Sequence, residues 1–202
     1  MRHLTFRKKR KKSSGGKLLH FAKGKFHWNK RAVSRWCIEI AAVCILAFVL
    51  VFYFGQRVSI AGDSMRPELK NGDVVLVNRL IYNAVMPKRG DVIAFKPNGN
   101  ENAHYYIKRI VGLPGETVQI KDGSVYINGK EQKSDIFASE IEKPGVAAEE
   151  ITLGENEYFV LGDQPSGSND SRMAEIGNVK RSEIYGAVWF NTSVGSEFGF
   201  VK

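Results

Sequence analysis

Two side chains in this sequence have the chemistry of a nucleophile and its base. Ser64 lies in the segment GDSMRP at 62–67, and Lys108 lies in the largely apolar segment YIKRIV at 106–111. A serine hydroxyl becomes an effective nucleophile only when a neighbouring base removes its proton. A lysine can be that base when it is neutral, and burial in an apolar pocket lowers the pKa of an amine. The pair therefore predicts a hydroxyl nucleophile that is served by an amine.

Histidine, the more common base, is poorly placed in this chain. His3, His20 and His27 all precede a long apolar segment, and only His104 follows it. His104 lies four residues before Lys108, and in a strand this even spacing would put both side chains on one face. His104 therefore remains an alternative base, although we favour a surface or loop role for it.

The segment around Ser64 has the composition of a tight turn. Gly62 permits backbone angles that other residues avoid, and Pro67 stiffens the exit from the turn. Such a turn can present the Ser64 hydroxyl and direct its own N–H at a developing oxyanion. Taken alone, Ser64 fits equally well a serine that caps a turn, and Lys108 fits a strand lysine that extends to solvent.

A third block, GDQPSGSNDSR at 162–172, is rich in polar and turn-forming residues. On composition alone it is a polar loop.

The elements that must position these blocks begin with a lone apolar span at 36–54. As a helix this span would be about 28 Å long, close to the thickness of the hydrocarbon core of a bilayer. Trp36 and Tyr53 lie at its ends, where amphipathic rings prefer the interface. A cleavable signal peptide is the alternative, but the span is long for one and no small-x-small site directly follows Phe54. We therefore expect an uncleaved transmembrane anchor at 36–56.

The net charge of +9 is unevenly distributed along the chain. Residues 1–35 hold thirteen of the 30 Lys and Arg residues and no Asp or Glu. A basic segment next to a membrane helix is retained in the cytoplasm and attracts anionic lipids. Nucleic-acid binding by the run at 7–12 is the alternative, and the adjacent span favours the topological role. We expect a basic cytoplasmic tail at 1–35, a single-pass cell-membrane anchor and an extracytoplasmic domain at 57–202.

The extracytoplasmic domain has the pattern of a β protein. Short β-branched or aromatic runs alternate with Gly, Pro, Asn and Asp, at 74–77, 91–95, 105–111, 117–120, 125–127, 158–161 and 184–190. KDGS at 121–124 predicts a hairpin turn, and one short helical turn is expected at 78–82. Residues 115–150 are expected to form a hairpin and an excursion from the main sheet.

Cysteine and metal-ligand patterns limit the chemistry further. Cys37 and Cys44 both lie in the apolar span, so the domain at 57–202 has neither a disulfide nor a cysteine nucleophile. No cluster of His, Cys and carboxylate residues has metal-ligand spacing. We therefore expect no cofactor and no metal.

The three blocks, in this order after one span, resemble those of the type I signal peptidases. These are membrane-anchored serine proteases that use a serine–lysine dyad to remove signal peptides from exported proteins. The resemblance extends from about residue 36 to the C-terminus, and the single span is similar to the Gram-positive form. It implies a mainly β, antiparallel-sheet catalytic domain with one N-terminal transmembrane helix.

The resemblance also implies roles for individual residues. Ser64 would be the nucleophile and Lys108 the general base, with Ser168 hydrogen-bonded to the lysine to orient it. Gly62 stands where some relatives have a serine that binds the oxyanion, so stabilisation of the oxyanion here would rely on backbone N–H groups. Met65 would pack beside the site.

Further residues of the third block have structural roles by resemblance, and two positions depart from the family pattern. Asp170 and Arg172 would form an ion pair near the site, and Asp163 would have a structural role. Glu68 replaces the usual threonine, and Gln164 replaces the usual asparagine. Neither departure affects a bond-making residue, but both can alter loop geometry or substrate preference.

The implied partners are signal-peptide-bearing preproteins, the lipid bilayer and the secretion machinery, with no nucleic acid. Cleavage would follow small residues one and three positions before the cut. The alternative is a signal-peptidase-like protein dedicated to pilus or surface-protein assembly, without general processing activity. A self-cleaving serine–lysine repressor and a purely structural β domain are weaker alternatives, because neither explains the span together with the three blocks.

Overall fold

The computed structural model describes residues 30–100, 102–132, 140–193 and 197–201. Most of the basic tail expected at 1–35 and the centre of the excursion expected at 115–150 lie outside these residues. The chain divides into two units between Ala41 and Ala42. The described part of the first unit is helical, and the second holds every described strand.

The apolar span forms a single helix, α1 (Lys30–Phe54), in which no residue is buried. It is long and apolar enough to cross a membrane. The described helix includes six residues before the apolar run at Trp36, and the Lys, Arg and Ala residues among them are good helix formers. It ends at Phe54, and Gln56 already belongs to the first strand.

Two antiparallel sheets make up the remainder of the described chain. In chain order the strands are β1 (Gln56–Ser59), β2 (Val74–Asn78), β3 (Val92–Phe95), β4 (Tyr106–Gly112), β5 (Thr117–Lys121), β6 (Ser124–Ile127), β7 (Lys130–Glu131), β8 (Ile151–Thr152), β9 (Glu157–Leu161), β10 (Val179–Lys180), β11 (Ile184–Asn191) and β12 (Gly199–Phe200). The larger sheet has the order β1-β2-β11-β3-β4-β9-β10, with β12 paired to β11, and the smaller has the order β7-β6-β5-β8. The expected mainly antiparallel β class is confirmed.

Strands at the centre of the larger sheet differ from those near its edge in burial. The side chains of β2 alternate between partly and fully buried, whereas every side chain of β3 is buried. In β4 all residues after Tyr106 are buried. Because the pattern of β4 leaves no exposed face, Lys108 and Arg109 are carried into the interior between apolar neighbours.

The hairpin and excursion expected after residue 115 form the smaller sheet. Lys121 pairs with Ser124 across a two-residue turn, in which Asp122 and Gly123 have φ of 51° and 77°. Positive φ at both central residues suits the twist of a tight hairpin. The sheet has its own apolar cluster, which continues into Val111 and Phe159 of the larger sheet.

Short helical segments complete the described fold. The helical turn expected at 78–82 is α2 (Ile81–Ala84), displaced toward the C-terminus. Its start is fixed by Asn78, whose Oδ1 atom accepts hydrogen bonds from the backbone N–H groups of Leu80 and Ile81. Single 3₁₀ turns occupy Pro97–Gly99, Gly145–Ala148 and Arg181–Glu183.

Candidate active site

The two residues predicted to act together are in contact. Lys108 lies on β4, where it pairs with Ile93 of β3, and its side chain reaches the segment before β2. Lys108 Nζ donates a hydrogen bond of 2.5 Å to Ser64 Oγ. A contact this short places the amine within direct proton-transfer distance of the hydroxyl.

The environment of Lys108 disfavours its charged form. The residue is 4% exposed, and burial is the largest cause that lowers its pKa, to about 8. The charge of Arg172 lowers this pKa further, while the carboxylates of Asp170 and Asp163 oppose the shift. A lysine with this pKa has a large neutral fraction in weakly alkaline solution, whereas an exposed lysine is almost wholly protonated there.

The serine is held on a turn that is anchored in the core. Met65 and Leu69, which follow Ser64 in the chain, are 1% and 0% exposed, and the Leu69 N–H donates a hydrogen bond to the Met65 carbonyl at 2.9 Å. Gly62 has φ of +96°, which L side chains rarely adopt, and its N–H donates to Asn71 Oδ1 at 3.0 Å. Since that N–H already has a partner, the Ser64 N–H is the better candidate to bind an oxyanion.

The third block contacts the serine turn through its backbone. The Gln164 N–H donates to the Ser64 carbonyl at 2.9 Å. This bond involves only main-chain atoms, so the glutamine at 164 keeps the contact whatever its side chain does. A Cβ atom on Gly162 would lie 2.5 Å from both the Ser64 carbonyl oxygen and Ser168 Oγ. Only glycine therefore fits between the serine turn and Ser168.

Ser168 lies next to Gly162, without the hydrogen bond that the resemblance implies. The residue is 1% exposed, and its Oγ atom has no hydrogen-bond partner among the described residues. The implied bond between Ser168 and Lys108 is therefore not formed in this structure, in which the amine of Lys108 donates to Ser64.

Asp170 and Arg172 form a buried ion pair behind the site. Both guanidinium nitrogens that face Asp170 bond its carboxylate, at 2.8 and 2.9 Å. Arg172 also donates to the carbonyls of Pro165 and Lys143, and Asp170 accepts the Gly162 N–H. These bonds fix the course of the loop that contacts Ser64.

A second buried ionic group lies beside Lys108, and local sequence gave little sign of it. Arg109 is 3% exposed and bonds both carboxylate oxygens of Asp163, at 2.8 and 2.6 Å. It also bonds Glu68 at 2.6 Å, so the residue that departs from the family pattern has a charged partner. Burial acts to lower the pKa of Arg109, but the bonds and charges of Asp163 and Glu68 outweigh it and raise this pKa.

The dyad residues line a cleft of about 330 Å³. Ile60 and Ile107 give it apolar walls, and Tyr105 lies along its side. His104 also lines the cleft, but it is exposed and precedes β4, which starts at Tyr106. The strand argument for His104 therefore does not apply. Within the part of the chain that the structure describes, no group of three His, Cys, Asp or Glu residues is placed to hold a metal ion.

Comparison with known proteins shows the family to which the chain belongs. The sequence model of the family "Signal peptidase, peptidase S26" matches residues 33–192. Signal peptidase IB of Staphylococcus aureus (strain COL) is 29% identical over 184 residues, which cover 84% of this chain and 94% of the relative. Signal peptidase I P of Bacillus subtilis subsp. natto is 31% identical over 165 residues, which cover 78% and 87%. A solved signal peptidase I from Enterococcus faecalis V583 is 35% identical, with 52% of this chain and 97% of that chain covered and a TM-score of 0.42.

The chain therefore belongs to the signal peptidases of peptidase family S26. It is a serine endopeptidase of the signal peptidase I type, and its substrates carry signal peptides.

Proposed function

We propose that the chain cleaves signal peptides from exported preproteins with a Ser64–Lys108 dyad. The observation that carries this proposal is the 2.5 Å contact between Lys108 Nζ and Ser64 Oγ inside an open cleft. The lowered pKa of Lys108, to about 8, supports it, since a base must be neutral to accept a proton.

The proposed reaction has two halves. Neutral Lys108 takes the proton of the Ser64 hydroxyl, and Oγ bonds to the carbonyl carbon of the scissile peptide. The resulting oxyanion is bound by the Ser64 N–H. The Lys108 ammonium then protonates the departing amine as the peptide bond breaks, which leaves an acyl group on Ser64. In the second half Lys108 accepts a proton from water, and the hydroxide bonds to the carbonyl carbon of the acyl group. The bond from that carbon to Ser64 Oγ then breaks, and the Lys108 ammonium returns its proton to Oγ, which releases the acid product and restores the neutral dyad.

The supporting residues have proposed roles that follow from their contacts. The Asp170–Arg172 pair keeps the third block against the serine turn, and Met65 anchors that turn in the core. Ser168 is buried next to Gly162, and its Oγ atom has no hydrogen-bond partner among the described residues, so we assign it the role of engaging the Lys108 ammonium by rotation of its hydroxyl. Such a bond would hold the amine in position after it has taken the proton.

The substrate would bind as an extended segment in the cleft. The first strand, β1, is at the edge of the larger sheet, and the chain that continues it through Ile60 and Gly62 lines the cleft. A peptide can add to such an edge by main-chain hydrogen bonds, with alternate side chains directed into pockets. The apolar side chains of Ile60 and Ile107 line this cleft, and we expect them to contact small residues one and three positions before the cut.

The helix α1 is proposed to anchor the enzyme in the membrane. Its length and its lack of buried residues support a lipid environment, and the basic residues before it favour a cytoplasmic N-terminus. The proposed organisation is a tail at 1–35, an anchor at 36–56 and an extracytoplasmic catalytic domain at 57–202. Tethering near the site where preproteins emerge raises their effective concentration, and the secretion machinery is the expected neighbour.

The dyad can be tested with full-length protein in detergent and a preprotein that has an alanine-x-alanine site. Wild type should cut after the second alanine, as located by mass spectrometry, and both Ser64→Ala and Lys108→Ala should lose the cut. Lys121→Ala is the matched control, because Lys121 lies on the smaller sheet and stacks on Tyr126. Retained cleavage in either dyad variant would contradict the proposal.

The alternative role in pilus or surface-protein assembly rested on Glu68 and Gln164. Glu68 is paired with Arg109, and Gln164 bonds Ser64 through its backbone. Neither residue displaces the dyad, so the geometry favours a catalyst over a binding protein.

A further inference from the structure

A second cleft, of about 600 Å³, lies where α1 joins the catalytic domain. Tyr53, in the last turn of α1, lines the cleft, and its carbonyl accepts the Arg79 N–H at 3.1 Å. Tyr105 lines this cleft and also the dyad cleft. The second cleft is thus adjacent both to the end of the proposed anchor and to the substrate cleft.

The cleft has an excess of positive charge. Arg79, Lys96 and Arg181 line it, against the single carboxylate of Glu183. That carboxylate already accepts the Lys180 N–H at 2.9 Å. Within the described residues, neither Arg79 nor Arg181 forms an ion pair with a carboxylate. The cleft is therefore suited to an anion.

Aromatic rings hold each of the cations in place. The Arg79 guanidinium lies 4.8 Å from the Tyr185 ring centroid, and the Arg181 guanidinium lies 5.4 Å from that of Tyr82. Lys96 Nζ lies 5.0 Å from the centroid of Tyr105. Stacking on a ring positions a cation without neutralising its charge. The cations are therefore arranged before a ligand arrives, which reduces the entropy lost on binding.

These groups indicate the chemistry of the ligand. One guanidinium group can donate hydrogen bonds to two oxygens of a phosphate at once, and an ammonium adds a compact positive charge. Tyrosine rings are favoured at the level of the lipid headgroups, where one end of the ring is in water. Phe52, which is in the last turn of α1, lies 5.7 Å from the Arg79 guanidinium. If α1 crosses the bilayer, the cleft lies at the depth of the phosphates.

We propose that this cleft binds the phosphate of a phospholipid headgroup. The inference rests on the proposed anchor and not on the proposed catalytic dyad. Tyr105 lines both clefts, and its ring lies 4.6 Å from that of Tyr185, which lines the second cleft. A bound headgroup therefore fixes the height of the substrate cleft above the membrane, where the end of a signal peptide emerges.

Native mass spectrometry of full-length protein from neutral detergent micelles tests the site. The probes are phosphatidylglycerol and diacylglycerol with the same acyl chains, which differ in the phosphate headgroup. We expect one retained phosphatidylglycerol and no retained diacylglycerol. Arg79→Gln and Lys96→Gln should each weaken retention about fivefold, and together about 25-fold.

Lys121→Gln is the matched control, because Lys121 Nζ also stacks on a tyrosine ring, 4.4 Å from the centroid of Tyr126, but on the smaller sheet. An equal loss of binding in this variant would indicate non-specific attraction and overturn the proposal. Thermal unfolding of each variant must match that of wild type. If Arg79→Gln fails this check, Lys96→Gln alone decides the question.

Two further arms separate the source of the phosphate and the role of catalysis. Inorganic phosphate and glycerol 1-phosphate are added as competitors. If either displaces the lipid at a concentration similar to that of the lipid, the cleft is a site for a soluble phosphate, and the proposal is overturned. The same measurement on Ser64→Ala should give unchanged lipid retention. Failure of the dyad proposal would therefore not affect this readout.

Discussion

The carboxylate of Glu68 lies 2.6 Å from the guanidinium of Arg109, the residue directly after Lys108. The same guanidinium bonds Asp163 in the third block. One buried cation therefore connects the serine turn, the lysine strand and the third block. A loss of this connection would change the distance between Ser64 and Lys108 without removing either residue.

The two carboxylates around Arg109 should differ in their contributions to stability. The Asp163 side chain is 2% exposed, whereas that of Glu68 is 20% exposed. Asp163→Asn removes the more buried of the two carboxylates and leaves Arg109 with only the partly exposed Glu68 as its charged partner, which costs about 3 kcal/mol. We expect Asp163→Asn to lower the free energy of unfolding by this amount, and Glu68→Gln by about 1 kcal/mol.

Thermal unfolding followed by circular dichroism measures the difference. Arg66→Gln is the control, because the Arg66–Asp63 pair is about half exposed on both sides and should contribute little. If Asp163→Asn and Glu68→Gln lower the free energy of unfolding equally, the more buried carboxylate contributes no more to stability than the partly exposed one.

The pH dependence of catalysis should follow the protonation of Lys108. Burial is the main cause that lowers its pKa to about 8, so kcat/KM should rise with pH and reach half its maximum near pH 8. Below that pH the rate should fall about tenfold per unit as the neutral amine disappears. Initial rates on a fluorogenic signal-peptide substrate between pH 6 and 10 measure this profile.

His104→Ala provides the control for that profile, since His104 lines the same cleft. The midpoint should stay near pH 8 in this variant. A pH profile whose midpoint is lost in His104→Ala would assign the base to histidine instead.

The burial that lowers the pKa of Lys108 should also lower the free energy of unfolding when the lysine is charged. Its pKa is lower in the folded chain, at about 8, than the ordinary value of 10.5. Below pH 8 both states are protonated, and the folded state carries the full cost of a buried charge, on the order of 3 kcal/mol. Between pH 8 and 10.5 the folded state has lost the proton that the unfolded state retains, so stability rises with pH.

Lys108→Met should therefore unfold at a higher temperature than wild type at pH 7, although it is inactive. The advantage should shrink as the pH rises from 8 to 10.5. Lys121→Met removes an exposed lysine and should show no such trend. A pH-independent difference between Lys108→Met and wild type would mean that the lysine is not buried in its charged form.

Sequence patterns predicted the main strands because each has a period or a run that the physics of a sheet requires. The buried run in β4 and the Asp122–Gly123 turn are examples. The first strand, β1, and the two-residue strands β7, β8, β10 and β12 were not predicted, because the sequence of β1, QRVS, is mostly polar and two residues have no detectable period. They form where neighbouring strands offer hydrogen-bond partners, which is a property of the assembled sheet.

Only part of the site could be predicted, because its contacts join residues that are far apart in the sequence. The Ser64–Lys108 contact joins residues 44 positions apart, so no local pattern determines it, and the ordered blocks indicated it only by resemblance. The pairing of Glu68 with Arg109 had no sequence signal at all, since it depends on how the serine turn packs against β4. The fit of Gly162 likewise depends on two segments that meet only in the folded chain.

Gly162 should be intolerant of even a methyl group. A Cβ there would lie 2.5 Å from the Ser64 carbonyl oxygen, which is held by the Gln164 N–H and cannot easily move. A displacement of the serine by about 1 Å would reduce kcat roughly 100-fold. Gly154→Ala is the control, because its Cβ would meet only the side chain of Glu157, at 3.3 Å. An active Gly162→Ala enzyme would show that the serine turn tolerates movement.

Ser168→Ala should separate the orienting role of Ser168 from any structural one. The Ser168 hydroxyl is buried without a hydrogen-bond partner among the described residues, and such a group costs about 1–3 kcal/mol. Its removal should therefore leave the unfolding temperature unchanged or raise it. If the hydroxyl turns to hold the Lys108 ammonium during the reaction, kcat should nevertheless fall about 100-fold while KM stays the same.

The pH profile decides between these roles, because a hydroxyl that accepts a hydrogen bond from the ammonium favours the charged form. Without it the ammonium is less stable, so the midpoint of kcat in Ser168→Ala should move below that of wild type. Ser168→Thr keeps the hydroxyl and should recover part of kcat if the added methyl group is accommodated. A fall in unfolding temperature with an unchanged midpoint would instead mean that Ser168 only packs against Gly162.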